Sequence, residues 1–299
     1  MKRPELLIPV FSRLVACSGY RQIARELGVT HTTVMRIAER LGRHCLLYHW
    51  HHVHGVRLSE TVVIDGFESF AHSQFYPCHL NLAVGAQSHF TYAFTEAELR
   101  RKGRMTDWQK QRRRELEREH GRPDPRAIEK SVAELIRMIP RSTRGVLAVH
   151  SDEHPAYPRA IKKSGVAVEH AVTSSVEARV PANPLFPVNL ADLLLRHSNA
   201  NHKRETIAFS KTLQSSVERL AIFAVWRNWA KSFSEKAQDA TPAMRAGLAR
   251  AKRTVAEILT ERLFVSKIAL PARWDGYYRR RVITLARGRS RPHRLRYAD

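Results

Sequence analysis

The run Val62-Val63-Ile64-Asp65 constrains the fold more than any other part of the sequence. Three successive β-branched residues predict a strand that is buried within a sheet. This strand leads into a carboxylate, and an unpaired charge is costly to bury. We therefore expect the strand to stop at Asp65, at an end of the sheet, and Gly66 to let the chain turn away.

More strands follow the first one. Residues 78–88 alternate apolar and polar side chains, and residues 89–99 read as the next strand, so the three together predict an antiparallel meander. A further strand at residues 146–149 has Asp152 just past its end. A helix and another short strand, residues 166–172, come next. Strands followed by alternating helices and strands predict an α/β fold.

The charge balance points to a polyanionic partner. The chain carries 51 Lys and Arg against 28 Asp and Glu, a net charge of +23. Nucleic acid is the leading candidate, because such an excess of cations attracts phosphates. An anionic membrane surface is a distant second, and we expect no membrane partner. No run of about 18 apolar residues occurs, so we also expect no transmembrane helix. Three widely spaced cysteines form no CxxC pair, which suits the reducing cytoplasm. With DNA as the expected partner, the predicted location is cytoplasmic and nucleoid-associated.

Residues 20–41 carry the spacing of two short helices joined by a turn. Gly28 can close the first helix, and Thr30 is a good N-cap for the second. This pattern predicts a helix-turn-helix motif; an ordinary helical hairpin is the alternative. In a helix-turn-helix, the start of the second helix contacts base edges and phosphates. The residues placed there, and so predicted to bind DNA, are His31, Thr32, Thr33 and Arg36.

The remaining organisation follows from charge and composition. Residues 1–57 form the predicted DNA-binding domain, in which the histidine-rich residues 49–55 act as a basic linker rather than a metal site. Residues 58–233 form the core, interrupted by a basic helical insertion at about residues 96–141. That insertion includes an amphipathic helix with Ile128, Val132, Leu135, Ile136 and Ile139 on one face. Residues 234–299 form a helical, basic C-terminal region.

Two predicted strands lead to aspartates, Asp65 and Asp152. Side chains at the ends of neighbouring strands converge, and two converging carboxylates repel unless a cation lies between them. Mg²⁺ prefers oxygen ligands and often uses only one or two carboxylates together with substrate phosphates. Two such ions, with Mn²⁺ as a substitute, would suit phosphodiester chemistry.

The order of these motifs resembles the DDE/DDD transposases of bacterial insertion sequences. The resemblance covers roughly residues 15–235 and includes the segments HSDEHPAY and NPLFPVNLADLLLRHSNANHKRETIAFSK. It implies a ribonuclease-H-like mixed sheet flanked by helices, with Asp65 and Asp152 as the first and second metal ligands. It also implies Mg²⁺-dependent hydrolysis at terminal inverted repeats, transfer of the freed 3′-hydroxyl to target DNA, and a homodimer or higher assembly.

The resemblance places a third acid on the helix after the last core strand, often three residues after an asparagine. Asn189 and Asp192 supply that pair, and Glu205 is the rival. On a continuous helix the two acids lie 13 residues apart, about 20 Å, so both cannot hold one metal pair. Asp192 is preferred because its helix face would also carry the predicted DNA contacts Arg196 and Lys203.

Two other functions stay open. A DNA-binding regulator with a non-catalytic core needs the same charge and the same N-terminal motif, but no converging aspartates. A nuclease or integrase of the same fold would share the acids and differ only in the fate of the 3′-hydroxyl.

Overall fold

A computed structural model describes residues 3–203 and 206–289. Its centre is a sheet whose strands are β1 (Val62–Phe70), β2 (Pro77–Gly85), β3 (Thr91–Glu98), β4 (Leu147–Ser151) and β5 (Val168–Val172). The five strands lie in the order β3-β2-β1-β4-β5. The first three are antiparallel, which confirms the predicted meander, whereas β4 pairs in parallel with both β1 and β5.

Helices surround this mixed sheet. Those of the described residues are α1 (Leu7–Leu14), α2 (Tyr20–Glu26), α3 (His31–Val53), α4 (Asp107–His120), α5 (Ala127–Met138), α6 (Ala156–Ser164), α7 (Phe186–Ser198), α8 (Leu213–Val225), α9 (Pro242–Arg245), α10 (Val255–Thr260) and α11 (Ala272–Tyr278). α5 contacts β2 and β3, α7 contacts β1 and β2, and α3 packs along α8. A small ribbon of β6 (Ile283–Thr284) and β7 (Gly288–Arg289) follows. The predicted α/β class is confirmed, and the architecture is compatible with a ribonuclease-H-like core.

The prediction that the first strand stops at Asp65 is wrong. β1 continues for five residues to Phe70, and Gly66 pairs with Asn81 of β2 inside the ladder. A Cβ atom on Gly66 would lie 2.6 Å from the Leu80 carbonyl oxygen and would also collide with the His79 ring. The glycine therefore permits the close approach of β2, and it does not turn the chain.

The predicted insertion at residues 96–141 is too long. β3 reaches Glu98, and α5 buries Val132, Leu135 and Ile136 in the core, as its amphipathic pattern requires. α4, in contrast, buries no residue. The segment that leaves the core is therefore residues 99–126, called here the basic excursion. Because α4 lacks an apolar stripe, it has no face to pack against the core.

The histidine-rich linker prediction is also wrong for residues 49–53, because these residues are the last turns of α3. His49 is buried, its Nε2 lies 2.8 Å from the Tyr92 carbonyl oxygen, and its ring packs against Trp229 and Trp274. Burial lowers the pKa of His49 to about 4, so the ring is neutral near pH 7. His49 is therefore a core residue and is not part of a basic linker.

The N-terminal helices share one continuous apolar core with the sheet and with α8 and α11. α10 and α11 extend this core to Tyr278, and residues 290–299 lie outside the described residues. The division into three domains stays a prediction. Among the described residues, each helix is too short or too polar to cross a membrane.

Candidate active site

Asp65 lies in β1, and Asp152 is the first residue after the neighbouring parallel strand β4. In the parallel pairing of β1 with β4, Val62 lies opposite Val149 and Val63 opposite His150. Two further steps in the same register bring Asp65 level with Asp152, the first residue after β4. Neighbouring strands are about 4.8 Å apart, and residues at the same level point to the same face. This extrapolated register and the effect of the Asp152 charge on Asp65 both support the expected convergence of the two aspartates, which stays a prediction.

The Asp65 carboxylate is half-buried and anchored through one oxygen. Its Oδ1 accepts hydrogen bonds from the Gly66 amide at 2.7 Å and from the Tyr157 hydroxyl at 3.2 Å. Burial, helped by the negative charge of Asp152, raises the pKa of Asp65 to about 6, although the two hydrogen bonds and the charge of Arg179 lower it. The site thus concentrates negative charge that a cation would relieve.

Asp192 faces the same region from α7. Its Oδ1 is buried and has no hydrogen-bond partner among the described residues. Burial raises the pKa of Asp192 well above its usual value, and the charge of Asp65 adds to the effect, whereas Arg196 and Arg179 oppose it. A buried carboxylate oxygen without a partner calls for a proton or a cation.

The helix that carries Asp192 is shorter than the sequence suggests. α7 ends at Ser198, Asn199 is its buried C-cap, and a 3₁₀ turn precedes Lys203. The expected helix face therefore runs only from Asn189 to Arg196. Glu205, the rival third acid, lies outside the described residues.

Tyr157 is a site residue that sequence reasoning missed. It is buried on the first turn of α6, where its hydroxyl donates to Asp65. Burial raises the pKa of Tyr157 well above its usual value, and the charges of Asp65, Asp152 and Asp192 all raise it further. The charges of all three acids therefore act on one hydroxyl, which contacts Asp65 directly. The sequence does contain a signal for it, because a tyrosine on the first turn of the helix that follows Asp152 lies near the end of β4.

Arg179 was missed as well. It is exposed in the segment between β5 and α7, and its positive charge lowers the pKa of both Asp65 and Asp192. No local sequence pattern identifies Arg179 as a site residue, because its effect on the two pKa values depends on how near the tertiary fold brings it to Asp65 and Asp192.

Two neighbouring acids have ordinary surroundings. Glu68 is exposed on β1. Glu153 is exposed and accepts hydrogen bonds from the Ser175 amide and hydroxyl at 2.6 and 2.7 Å. They serve as controls for the three buried or half-buried aspartates.

The predicted metal ligands do not form a closed cage. Within residues 3–203 and 206–289, no group of three or more His, Cys, Asp or Glu side chains is arranged to hold a metal ion. The available oxygen donors are instead the carboxylates of Asp65 and Asp152 and the Oδ1 atom of Asp192, which has no hydrogen-bond partner among the described residues. Such a donor set fits Mg²⁺ or Mn²⁺, which accept oxygen ligands and complete their shells with water and substrate phosphates.

The predicted DNA-binding residues of the N-terminal region lie at the start of α3. His31, Thr32 and Arg36 are exposed, whereas Thr33 is half-buried. The Thr30 hydroxyl accepts a hydrogen bond from the Thr33 amide at 3.2 Å, as an N-cap should. The two helices and the turn at Gly28, with φ of +62°, are as expected. This geometry is common to a helix-turn-helix and to an ordinary helical hairpin.

The other two predicted DNA contacts differ from each other. Arg196 donates to the Glu68 carbonyl oxygen at 3.0 Å and lies over the Phe67 ring at 4.9 Å. These contacts hold its guanidinium against the protein. Lys203 is exposed after the 3₁₀ turn.

No protein-family model and no curated protein matches the sequence. One similar solved structure is described as the simian T-cell lymphotropic virus intasome in complex with PP2A regulatory subunit B56 gamma, determined by cryo-electron microscopy. The match is 13% identical, covers 86% of this chain and 78% of the other, and has a TM-score of 0.28. That TM-score is too low to assign a fold or a function to this chain.

Proposed function

We propose that the chain is a DNA transposase of the DDE/DDD type, a metal-dependent polynucleotidyl transferase. The observation that supports this best is the parallel pairing of β1 with β4, because the same register carried two residues further would bring Asp65 level with Asp152, just past the end of β4. Asp192 adds a third carboxylate close enough to Asp65 for their charges to interact. The net charge of +23 makes a nucleic acid the natural substrate.

Asp65, Asp152 and Asp192 would hold the divalent ions, two Mg²⁺ or Mn²⁺. When bound, these ions activate a water or 3′-hydroxyl and stabilise the leaving oxygen of a phosphodiester. Tyr157 and the Gly66 amide hold Oδ1 of Asp65 and so orient its carboxylate. The His154 amide, 2.9 Å from Oδ1 of Asp152, does the same for the second acid.

The cations and the N-terminal helices would position the DNA. His31, Thr32, Thr33 and Arg36 would contact the terminal inverted repeats from the start of α3. Arg179 and Lys203 would contact phosphates near the acids, while Arg196, held by the protein, would support β1. Because two DNA ends must be joined, we propose that a homodimer or a higher assembly forms on DNA.

The decisive experiment measures cleavage and strand transfer in Mg²⁺ on a labelled duplex that carries the DNA flanking the encoding gene. Asp65→Asn, Asp152→Asn and Asp192→Asn should each reduce both steps by about 100-fold or more, since losing a ligand removes roughly 3 kcal/mol of stabilisation. Glu68→Gln removes an exposed carboxylate from the same strand as Asp65 and should leave activity unchanged.

Each outcome has a clear meaning. Full activity of Asp65→Asn or Asp152→Asn would refute the enzyme proposal. Full activity of Asp192→Asn together with loss in Glu205→Gln would transfer the third role to Glu205. Products that are cut but never joined would indicate a nuclease instead of a transposase.

A DNA-binding regulator is the second candidate. The lack of a closed three-ligand group among the described residues favours it. On that alternative, calorimetric titration of the protein with Mg²⁺ or Mn²⁺, with and without DNA, would show no binding that depends on Asp65. Sequence-specific DNA binding without cleavage would then decide for the regulator.

A further inference from the structure

We propose that the basic excursion, residues 99–126, is a second DNA surface that holds the flanking duplex about five or more base pairs from the cleaved bond. This inference rests on the proposed function, because it assigns a substrate contact to the same enzyme. Three observations support it: the excursion has cations without ion-pair partners within the described part of the chain, it exposes one tryptophan, and it lies beyond the end of β1.

The charges of the excursion are only partly compensated. Within the excursion the pairs of oppositely charged side chains are Arg100–Glu117, Lys110–Asp107, Arg112–Glu115 and Arg113–Glu117, and its Asp124 pairs with Lys130 of α5. Other cations are exposed and form no ion pair within the described part of the chain. They are Lys102, Arg104, Arg114, Arg118, Arg122 and Arg126. Of the acids in the segment, Glu119 pairs only with His120. A cationic surface without internal partners is the electrostatic footprint of a phosphate backbone.

Trp108 gives this surface a second feature. It is 66% exposed on α4, and its ring meets that of Phe75 edge-on at 6.3 Å between centroids. Trp229 and Trp274, in contrast, are fully buried in the core. An exposed aromatic ring beside cations is suited to stacking on a nucleotide. Gln111, Arg114 and Arg118 share the neighbouring face of α4, and Gln111, three residues after Trp108, lies between that face and the ring.

The position of the excursion links it to the acids. β1 runs from Asp65 to Phe70, five residues or about 17 Å, beyond the end of β4. The loop after β1 then contacts the excursion, where Arg101 donates to the Gln74 carbonyl oxygen at 3.3 Å and Phe75 meets Trp108. Since B-DNA rises about 3.4 Å per base pair, 17 Å corresponds to about five base pairs.

The first test is the salt dependence of binding to a labelled duplex, followed by fluorescence anisotropy. Arg114→Ala/Arg118→Ala should reduce the slope of log K against log salt by about 2, since each phosphate contact contributes about 0.9. The matched control is Arg144→Ala/Lys162→Ala. These exposed cations lie just before β4 and at the end of α6, at the opposite end of the sheet from the acids. The control should keep the wild-type slope.

The second test varies the length of the DNA on either side of the cleaved bond. On one side, duplexes that end about 3 base pairs from the bond should bind the wild type and Arg114→Ala/Arg118→Ala equally. Duplexes that extend about 12 base pairs from the bond should bind the double variant more weakly than the wild type. Trp108→Ala should weaken binding only to the long duplexes, and Trp108→Phe should weaken it less, because a ring remains.

Several results would overturn the proposal. Equal slope changes in the two double variants would show a diffuse charge effect. A difference that persists on the short duplexes would place the contact elsewhere. Loss of labelled polyglutamate binding, with DNA binding intact, would identify an acidic polypeptide as the partner. The substituted side chains are exposed, so circular dichroism should confirm unchanged folding in every variant.

The two proposals fail separately. Asp65→Asn leaves the excursion intact and should bind DNA with the wild-type salt slope. If Asp65→Asn cleaves DNA normally while Arg114→Ala/Arg118→Ala loses slope, the enzyme proposal fails and the DNA surface stands. If Asp65→Asn is inactive while the double variant binds DNA with the wild-type salt slope, the enzyme proposal stands and the second DNA surface is refuted.

Discussion

Gly42 controls how closely α3 approaches α8. It is buried in the middle of α3, and a Cβ atom there would lie 2.8 Å from Cβ of Glu218 and 3.0 Å from its Cα and carbonyl oxygen. Non-bonded carbon atoms prefer about 3.5–4.0 Å. Gly42→Ala would therefore force the helices apart by several tenths of an ångström or more. No side-chain rotation can relieve this, because two of the three atoms belong to the backbone.

The net effect follows from two opposing contributions. Overpacking of a tight core costs about 1–3 kcal/mol. Alanine in place of glycine within a helix returns up to about 1 kcal/mol. We expect the free energy of unfolding of Gly42→Ala to fall by about 1–2 kcal/mol, with a larger loss if the ion pair between Glu218 and Arg280 is disturbed.

Gly276→Ala is the matched control. Gly276 lies within α11, and a Cβ atom there would have no neighbour within 4 Å. The control should gain about 0.5–1 kcal/mol from helix propensity alone. The two variants should thus differ by about 1.5–3 kcal/mol in urea unfolding followed by circular dichroism. Equal or higher stability of Gly42→Ala relative to the wild type would refute the tight approach of α3 and α8.

Two further predictions concern buried polar groups. Tyr157→Phe removes the hydroxyl that orients Asp65, so we expect a roughly tenfold loss of kcat with unchanged DNA affinity, measured by single-turnover cleavage and anisotropy; a change in DNA affinity alone would contradict this positioning role. Burial raises the pKa of Glu218 to about 7, against 4.5 for an ordinary glutamate. The folded state thus binds more protons between these pH values, and this group makes the free energy of unfolding fall as pH rises from about 4.5 to about 7. Glu218→Gln should reduce that fall, seen in urea titrations at pH 5 and pH 8, and an unchanged pH slope would contradict it.

The meander, the α/β class and the placement of Asp65 and Asp152 after apolar runs follow from local patterns in the sequence. β-branched runs and alternating polarity depend on which face of a strand is buried, and neighbouring residues carry that information. The amphipathic stripe of α5 is also a local pattern, and it predicted which side chains of that helix face the core. Where the local signal was mixed, the sequence reasoning failed. The end of β1 at Asp65 and the linker at residues 49–53 are the two clearest examples.

Local sequence and tertiary packing thus determined different features of this protein. The order of strands and helices, the excess of cations and the placement of two aspartates after apolar runs were encoded locally. Only the three-dimensional arrangement decided that His49 is a core residue, that Gly66 admits β2, and that Tyr157 and Arg179 reach the acids. These features depend on side chains distant in the sequence, such as Tyr92, Trp229 and His79. Burial and close approach are properties of such pairs, and no single stretch of the chain contains both partners.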